Sequence, residues 1–182
     1  SQLPPPGIVG GKRPVRFLFL GLAIPRKGFH HVLEAIAALP ESDAKLTVVG
    51  RLGVPERVLS RYADRIDYLP TVARGEVPGI MAAHDVLLFP SYFEGAGIVL
   101  YEALAAGLAL IQSDRAAVAV TPDTGILLET LSTEALLEAM CLAISDRARL
   151  AFWRSNAQAA AARHNFAGYR SRVAALLESM DC

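Results

Sequence analysis

Two carboxylates stand eight positions apart in the segment Pro90-Ser91-Tyr92-Phe93-Glu94-Gly95-Ala96-Gly97-Ile98-Val99-Leu100-Tyr101-Glu102-Ala103. Glu94 lies in a glycine-rich loop, and Glu102 about one turn into an apolar helical pattern. A carboxylate so placed can accept hydrogen bonds from the hydroxyls of a sugar or ribose. Gly95 and Gly97 permit close backbone approach, and the N–H groups that follow would point into the same crevice. Glu102 poses the sharper question, because burying a carboxylate among apolar side chains without a donor is costly. It must reach either a protein donor, such as the helix-start backbone or a lysine, or a ligand hydroxyl.

A second segment, Gly21-Leu22-Ala23-Ile24-Pro25-Arg26-Lys27-Gly28, sets two cations beside a predicted helix start. Free N–H groups and a nearby positive charge together suit a phosphate or diphosphate, although a merely solvated basic loop has the same composition. The familiar phosphate fingerprints are missing. No G-x-G-x-x-G follows the first apolar run, and Gly10-Gly11-Lys12-Arg13 lacks the spacing and the hydroxyl of a Walker loop. His30, His31 and Glu34 share a helical turn but have no further ligand nearby, so they read as a surface helix and no metal site is assigned. His84 beside Asp85 reads as a helix-end cap. The arginines from Arg147 to Arg172 read as a solvated or domain-facing helical surface, with Phe152 and Trp153 as packing anchors.

The elements that must position these residues follow from the apolar runs Phe17–Leu20, Leu46–Val49, Ile66–Leu69, Val86–Phe89, Leu108–Ile111 and the weaker Ile126–Leu128. Continuous rather than alternating hydrophobicity marks strands covered on both faces, and the segments between them have the length of crossover helices. Helices are predicted over Lys27–Leu39, Pro55–Ala63, Glu76–Ala83, Ile98–Ala106, Thr133–Ile144, Arg147–Arg163 and Ala167–Met180. The pattern is α/β, a doubly wound and mainly parallel sheet of Rossmann-like type, with helices at the C-terminal end. In such a sheet, ligands bind beyond the carboxyl ends of the strands, where both loops above fall.

The chain has 182 residues, of which 53% are hydrophobic and 20% charged, with 18 Lys+Arg against 18 Asp+Glu. That length normally holds one well-filled domain. Residues 1–15, rich in Pro and Gly, read as a linker or tail, and residues 16–182 as the folded domain. A net charge of zero argues against nucleic-acid binding, which needs an excess of Lys and Arg. The apolar run from Gly97 to Ile111 is interrupted by Glu102 and falls short of the roughly 20 residues of a spanning helix, so it reads as a buried helix followed by a buried strand. Two cysteines, Cys141 and Cys182, make neither a disulfide framework nor a metal knuckle, and no signal peptide opens the chain. A cytoplasmic setting is expected.

Glu94, seven intervening residues and Glu102, following Pro90-Ser91 and leading into Ala103-Leu104-Ala105-Ala106-Gly107, resemble the E-x7-E signature of retaining GT-B glycosyltransferases of the glycogen-synthase-like family 4 type. Other landmarks fall in the same order: Phe19-Leu20-Gly21 with Lys27-Gly28, Val48-Val49-Gly50, Ala83-His84-Asp85-Val86 with Leu88-Phe89-Pro90-Ser91, and Thr124-Gly125-Ile126-Leu127. An ordered set over roughly Arg16 to Ile144 is far more specific than any one motif.

The resemblance implies that the domain binds a nucleotide-diphosphate sugar as donor substrate and needs no cofactor or metal. By position, Lys27 would bind the diphosphate with Arg26 beside it, Glu94 the sugar hydroxyls, and Glu102 the ribose. The backbone of Gly95, Ala96, Gly97 and Ile98 would line the sugar and phosphate site, with Gly50, Tyr68 and Leu69 near the base. Glu94 and Lys27 are the expected catalytic residues. Two positions depart from the family pattern: Leu22 replaces the usual second diphosphate-binding Arg, and Ala96 replaces the usual aromatic between the glycines. The implied partner is an N-terminal acceptor-binding domain, through which alone any peripheral membrane contact would arise. Alternatives are a noncatalytic glycosyltransferase-like binding or assembly module and a GT-B-type sugar-nucleotide epimerase fragment. Half of a two-domain enzyme is then expected, bearing donor but transferring little alone.

Overall fold

The computed structural model describes residues 13–95 and 97–163. Six strands form one sheet in the order β3-β2-β1-β4-β5-β6: β1 (Val15–Leu20), β2 (Ala44–Val49), β3 (Ile66–Leu69), β4 (Val86–Phe89), β5 (Ala109–Ser113) and β6 (Gly125–Leu128). Every pairing is parallel, with Phe17 opposite both Leu46 and Val86. The helices are α1 (Phe29–Ala38), α2 (Glu56–Leu59), α3 (Val77–Ala82), α4 (Ile98–Ala105), α5 (Thr133–Ser145) and α6 (Arg147–Ala162). Among the described residues, no helix is long and apolar enough to cross a membrane. The apolar run containing Glu102 becomes α4 and β5.

The sheet is covered on both faces, which explains the unbroken apolar runs. Phe17, Phe19, Val86, Leu88 and Ile111 face a core shared with α1 and α5. Leu18, Leu87, Phe89 and Leu110 face the opposite core, with α3, α4 and the later half of α6. α6 contributes to both, through Leu150 and Trp153 on one side and Ala157 and Ala160 on the other.

Several boundaries differ from the sequence reading, each for a physical reason. Helix α1 begins at Phe29, because Pro25–Lys27 form a 3-10 turn closed by Gly28 in the left-handed region at φ 68°. The helix predicted over Pro55–Ala63 is one α turn followed by a 3-10 segment, Ser60–Arg65, which buries no residue and therefore gains little from helical packing. Strand β5 runs two residues past its apolar stretch into Gln112 and Ser113, which are buried and satisfied. The Gln112 side chain accepts from the N–H groups of Ala119 and Val120 and donates to Ala117 O. The fold also starts earlier than Arg16: β1 opens at Val15, and Arg13 is ion-paired to Asp85 at 2.7 Å. The predicted helix Ala167–Met180 and residues 1–12 lie outside the described residues.

Candidate functional site

Strand order reverses between β1 and β4: the chain winds outward from β1 through β2 to β3, then returns to place β4 on the other side of β1. Ligands in such sheets bind beyond the carboxyl ends of the strands at this point. The β1 loop carries Lys27, and the β4 loop carries Glu94. The two loops are fastened directly together, with the Tyr92 N–H donating to Arg26 O at 2.8 Å and the Arg26 guanidinium donating to Phe93 O at 3.0 Å. Gly28 lets them close this far, since a side chain there would place its Cβ 2.0 Å from Pro90 O. From the other side, Ser113 Oγ donates to Ser91 O at 2.6 Å and the Glu94 N–H to Arg115 O at 3.1 Å.

In that frame Lys27 Nζ lies 2.8 Å from Glu94 Oε2, although the two residues are sixty-seven positions apart in sequence. Both side chains are largely covered, at 17% and 20% exposure. The ammonium rests against Gly21 and lies 5.8 Å from the centre of the Phe89 ring. Oε2 is enclosed and in charge contact with Lys27, and among the described residues no donor is aligned for a hydrogen bond to it.

Helix α4 begins next to this pair. Its N-cap, Gly97, is in the left-handed region at φ 58°, and no side chain caps the first turn. The first N–H groups of a helix have no carbonyl partner within it and carry partial positive charge, so this end suits an anion. Glu102, one turn further on, corrects the sequence reading. Leu100, Ala103 and Leu104 occupy the buried face, while Glu102 is exposed, and among the described residues no donor engages its carboxylate. It stands on the wall of a crevice of about 390 Å³ lined also by Leu20, Arg74, Val77 and Met81.

Residues 14–146 match the family model described as glycosyl transferases group 1. The chain belongs to that family. The lipopolysaccharide glucosyltransferase WaaG of Escherichia coli strain K12 is 33% identical over 150 residues, covering 78% of this chain and 40% of WaaG. A D-inositol 3-phosphate glycosyltransferase of Rhodococcus opacus strain B4 is 31% identical over 150 residues, covering 73% of this chain and 34% of that protein. This group 1 chain thus spans about two fifths or less of the length of those relatives. The crystal structure of WaaG superposes with a TM-score of 0.70 at 31% identity, over 83% of this chain and 43% of WaaG's. The C-terminal domain of LpcC from Francisella tularensis, a group 1 family protein, shares the fold with a TM-score of 0.71 at 23% identity, over 82% of this chain and 86% of that one.

The remaining candidate residues of this group 1 chain fall in different settings. Arg26 is exposed, and its guanidinium is engaged by the Phe93 carbonyl, which makes it a clamp between loops. Leu22 is 37% exposed on the β1 loop. The Gly50 N–H is committed to Leu69 O at 2.9 Å. Tyr68 packs partly against the α1 core, whereas Leu69, on the opposite face of β3, is exposed. Gly95 has open space beside it and Ile98 is 67% exposed. Ala96 lies outside the described residues.

The histidines are placed by hydrogen bonds. His84 Nδ1 lies 2.6 Å from Ile80 O, and Nε2 2.7 Å from Thr47 Oγ1, so the ring caps the end of α3. Burial holds it below the ordinary histidine value, against opposing pulls from the Ile80 carbonyl and Asp85. Among the described residues, no three His, Cys, Asp or Glu are grouped to hold a metal ion. His31 instead contacts Thr133 and Tyr92. Tyr92 and Ser113, both of which fasten the Glu94 loop, were missed by sequence reasoning. Their only signal was adjacency, Tyr92 to the signature and Ser113 to the end of an apolar run.

Proposed function

We propose that this chain is the donor-binding domain of a retaining glycosyltransferase of the family 4 type, transferring a sugar from a nucleotide-diphosphate sugar to an acceptor hydroxyl. The observation that carries this reading is the Lys27–Glu94 pair at the β1/β4 crossover, next to the start of α4, whose N-cap Gly97 makes no side-chain capping bond. Lys27 and the first N–H groups of α4 would hold the donor diphosphate and stabilise the charge that develops on it as the glycosidic bond breaks. The Glu94 carboxylate, held in place by Lys27, would accept from a sugar hydroxyl. Glu102, which no donor engages among the described residues, would accept from the ribose, with Gly50 and Leu69 bordering the base. No metal is assigned a role, and the setting is cytoplasmic. Acceptor recognition falls to a separate N-terminal domain, as in a GT-B enzyme, so this chain would bind donor without turning it over.

Calorimetric titration with UDP, GDP, ADP and their sugar conjugates tests the reading. Binding of one nucleotide family is expected, and Lys27→Met should weaken it by about tenfold or more through loss of a charge-assisted hydrogen bond. The exposed Leu22, standing where the family usually has a second diphosphate-binding Arg, favours a second reading, a noncatalytic assembly module. Absence of binding at millimolar nucleotide would decide for that module and against the donor domain.

A further inference from the structure

The loop bearing Glu94 has a further fastener that neither the signature nor the sheet requires. Tyr92, two residues before Glu94, is 46% exposed, yet its hydroxyl lies 2.7 Å from His31 Nε2. The His30 ring stacks on Tyr92 at 5.9 Å and 11°. On its other side, His31 Nδ1 lies 2.8 Å from Thr133 Oγ1, and Thr133 in turn donates to Glu34 Oε2 at 2.7 Å. Four side chains from α1, α5 and the β4 loop therefore form one line: Glu34, Thr133, His31, Tyr92.

The direction of this line follows from hydrogen-bond chemistry. Thr133 has one proton and gives it to the Glu34 carboxylate, so its oxygen can only accept from His31 Nδ1–H. A neutral His31 protonated at Nδ1 presents a bare Nε2, which accepts from the Tyr92 hydroxyl. Burial, and then the neighbouring His30, push His31 below the ordinary histidine value, while Glu34 and Glu134 pull it upward. The ring is thereby kept in the form that the line needs near neutral pH.

We infer that His31 is a positioning residue for the candidate donor site: oriented by Thr133 and Glu34, it holds Tyr92 and through it sets the backbone that carries Glu94. The inference rests on the donor-binding reading of that loop. It adds a side-chain anchor from α1 to the main-chain ties at Arg26 and Arg115. Removing one such bond should loosen Glu94 without exposing the core, because Tyr92 and Glu34 are both at the surface.

The test separates the two nitrogens of His31. An Asn amide occupies the place of Nδ1 and a Gln amide that of Nε2, so His31→Gln keeps a partner for Tyr92 while His31→Asn does not. Titration with UDP, GDP and ADP should show His31→Asn and Tyr92→Phe each weakened roughly 3- to 10-fold, and His31→Gln within about twofold of wild type. Amide hydrogen exchange at residues 93–95, measured without nucleotide, should quicken in His31→Asn and Tyr92→Phe but not in His31→Gln. Unchanged exchange in Tyr92→Phe, or equal losses in the Asn and Gln variants, would overturn the positioning role. A wild type that binds no nucleotide would defeat the donor-site reading instead, leaving the exchange comparison to decide the role of His31 on its own.

Discussion

Glu102 illustrates how the sequence around a residue can mislead about its environment. Its helix is apolar almost throughout, which suggests burial, yet only Leu100, Ala103 and Leu104 face the core. Ile98 and Glu102 lie on an outer face bordering open space. Composition cannot separate an apolar residue that fills a core from one that lines a crevice, because both are Ile or Ala in the same helix. A carboxylate that is exposed, and that no donor among the described residues engages, has little structural duty to lose. Glu102→Gln should therefore change stability by less than about 0.5 kcal/mol, while weakening nucleotide binding roughly tenfold through a lost charged acceptor. Urea unfolding and calorimetry on the same variant check this, and unchanged binding with reduced stability would contradict it. Lys27 and Glu94 were legible from their loops, whereas the commitment of Arg26 to Phe93 was not, since that carbonyl is sixty-seven positions away.

At the level of elements, the strands were the most readable feature, because a central strand such as β4 is buried on both faces and apolar throughout. Caps and short helices were less so. The one-turn α2 looks in sequence like a full helix, and only the lack of a buried face in its continuation shows why it tightens into a 3-10 segment. Asp85 is the largest element-scale feature that local patterning hid. Standing immediately before β4, it accepts two 2.7 Å bonds from Arg13, one from the Arg16 N–H at 3.0 Å, and one from Arg154 of α6 at 2.7 Å. Asp85 and Arg154 are buried, so the pair ties the entering chain, β4 and α6 at the end of the sheet opposite the crevice. Breaking a buried ion pair leaves charge without compensation, and Asp85→Asn should cost about 3–5 kcal/mol. Arg154→Met should cost less, because Arg13 still neutralises Asp85. Denaturant unfolding of the two variants checks the order, and equal small losses would show the network to be dispensable.

For the whole molecule, the buried ionisable groups predict how stability varies with pH. Burial would raise the Asp85 pKa, but Arg13, the Arg16 N–H and Arg154 outweigh it and hold the carboxyl below its usual value. His84 is also lowered, by burial. In both cases the unfolded chain takes up protons before the folded one does, so stability rises with pH across the interval between the two values. The His84 contribution is complete above its unfolded value of about 6.5 and is lost as pH falls through its folded value. The Asp85 contribution is complete above about 3.9 and is lost as pH falls through its own lowered value. Unfolding midpoints across an acid series should therefore fall in two stages, the first reduced in His84→Asn. A midpoint that climbed on acidification would refute both assignments.

The amino-acid sequence by itself determined the alternation of strands and helices, the parallel two-sided sheet, and the two loops that bear charge at strand ends. These are local consequences: a strand covered on both faces must be apolar throughout, and a helix between parallel strands must span the crossover. The partners of each charge were decided only by tertiary structure. Lys27 meets Glu94, Arg13 meets Asp85 and His31 meets Tyr92 because β4 packs beside β1 rather than beside β3. That strand order depends on how the cores close on both faces of the sheet, a property of many distant contacts at once. The segment around each residue therefore carries little trace of it.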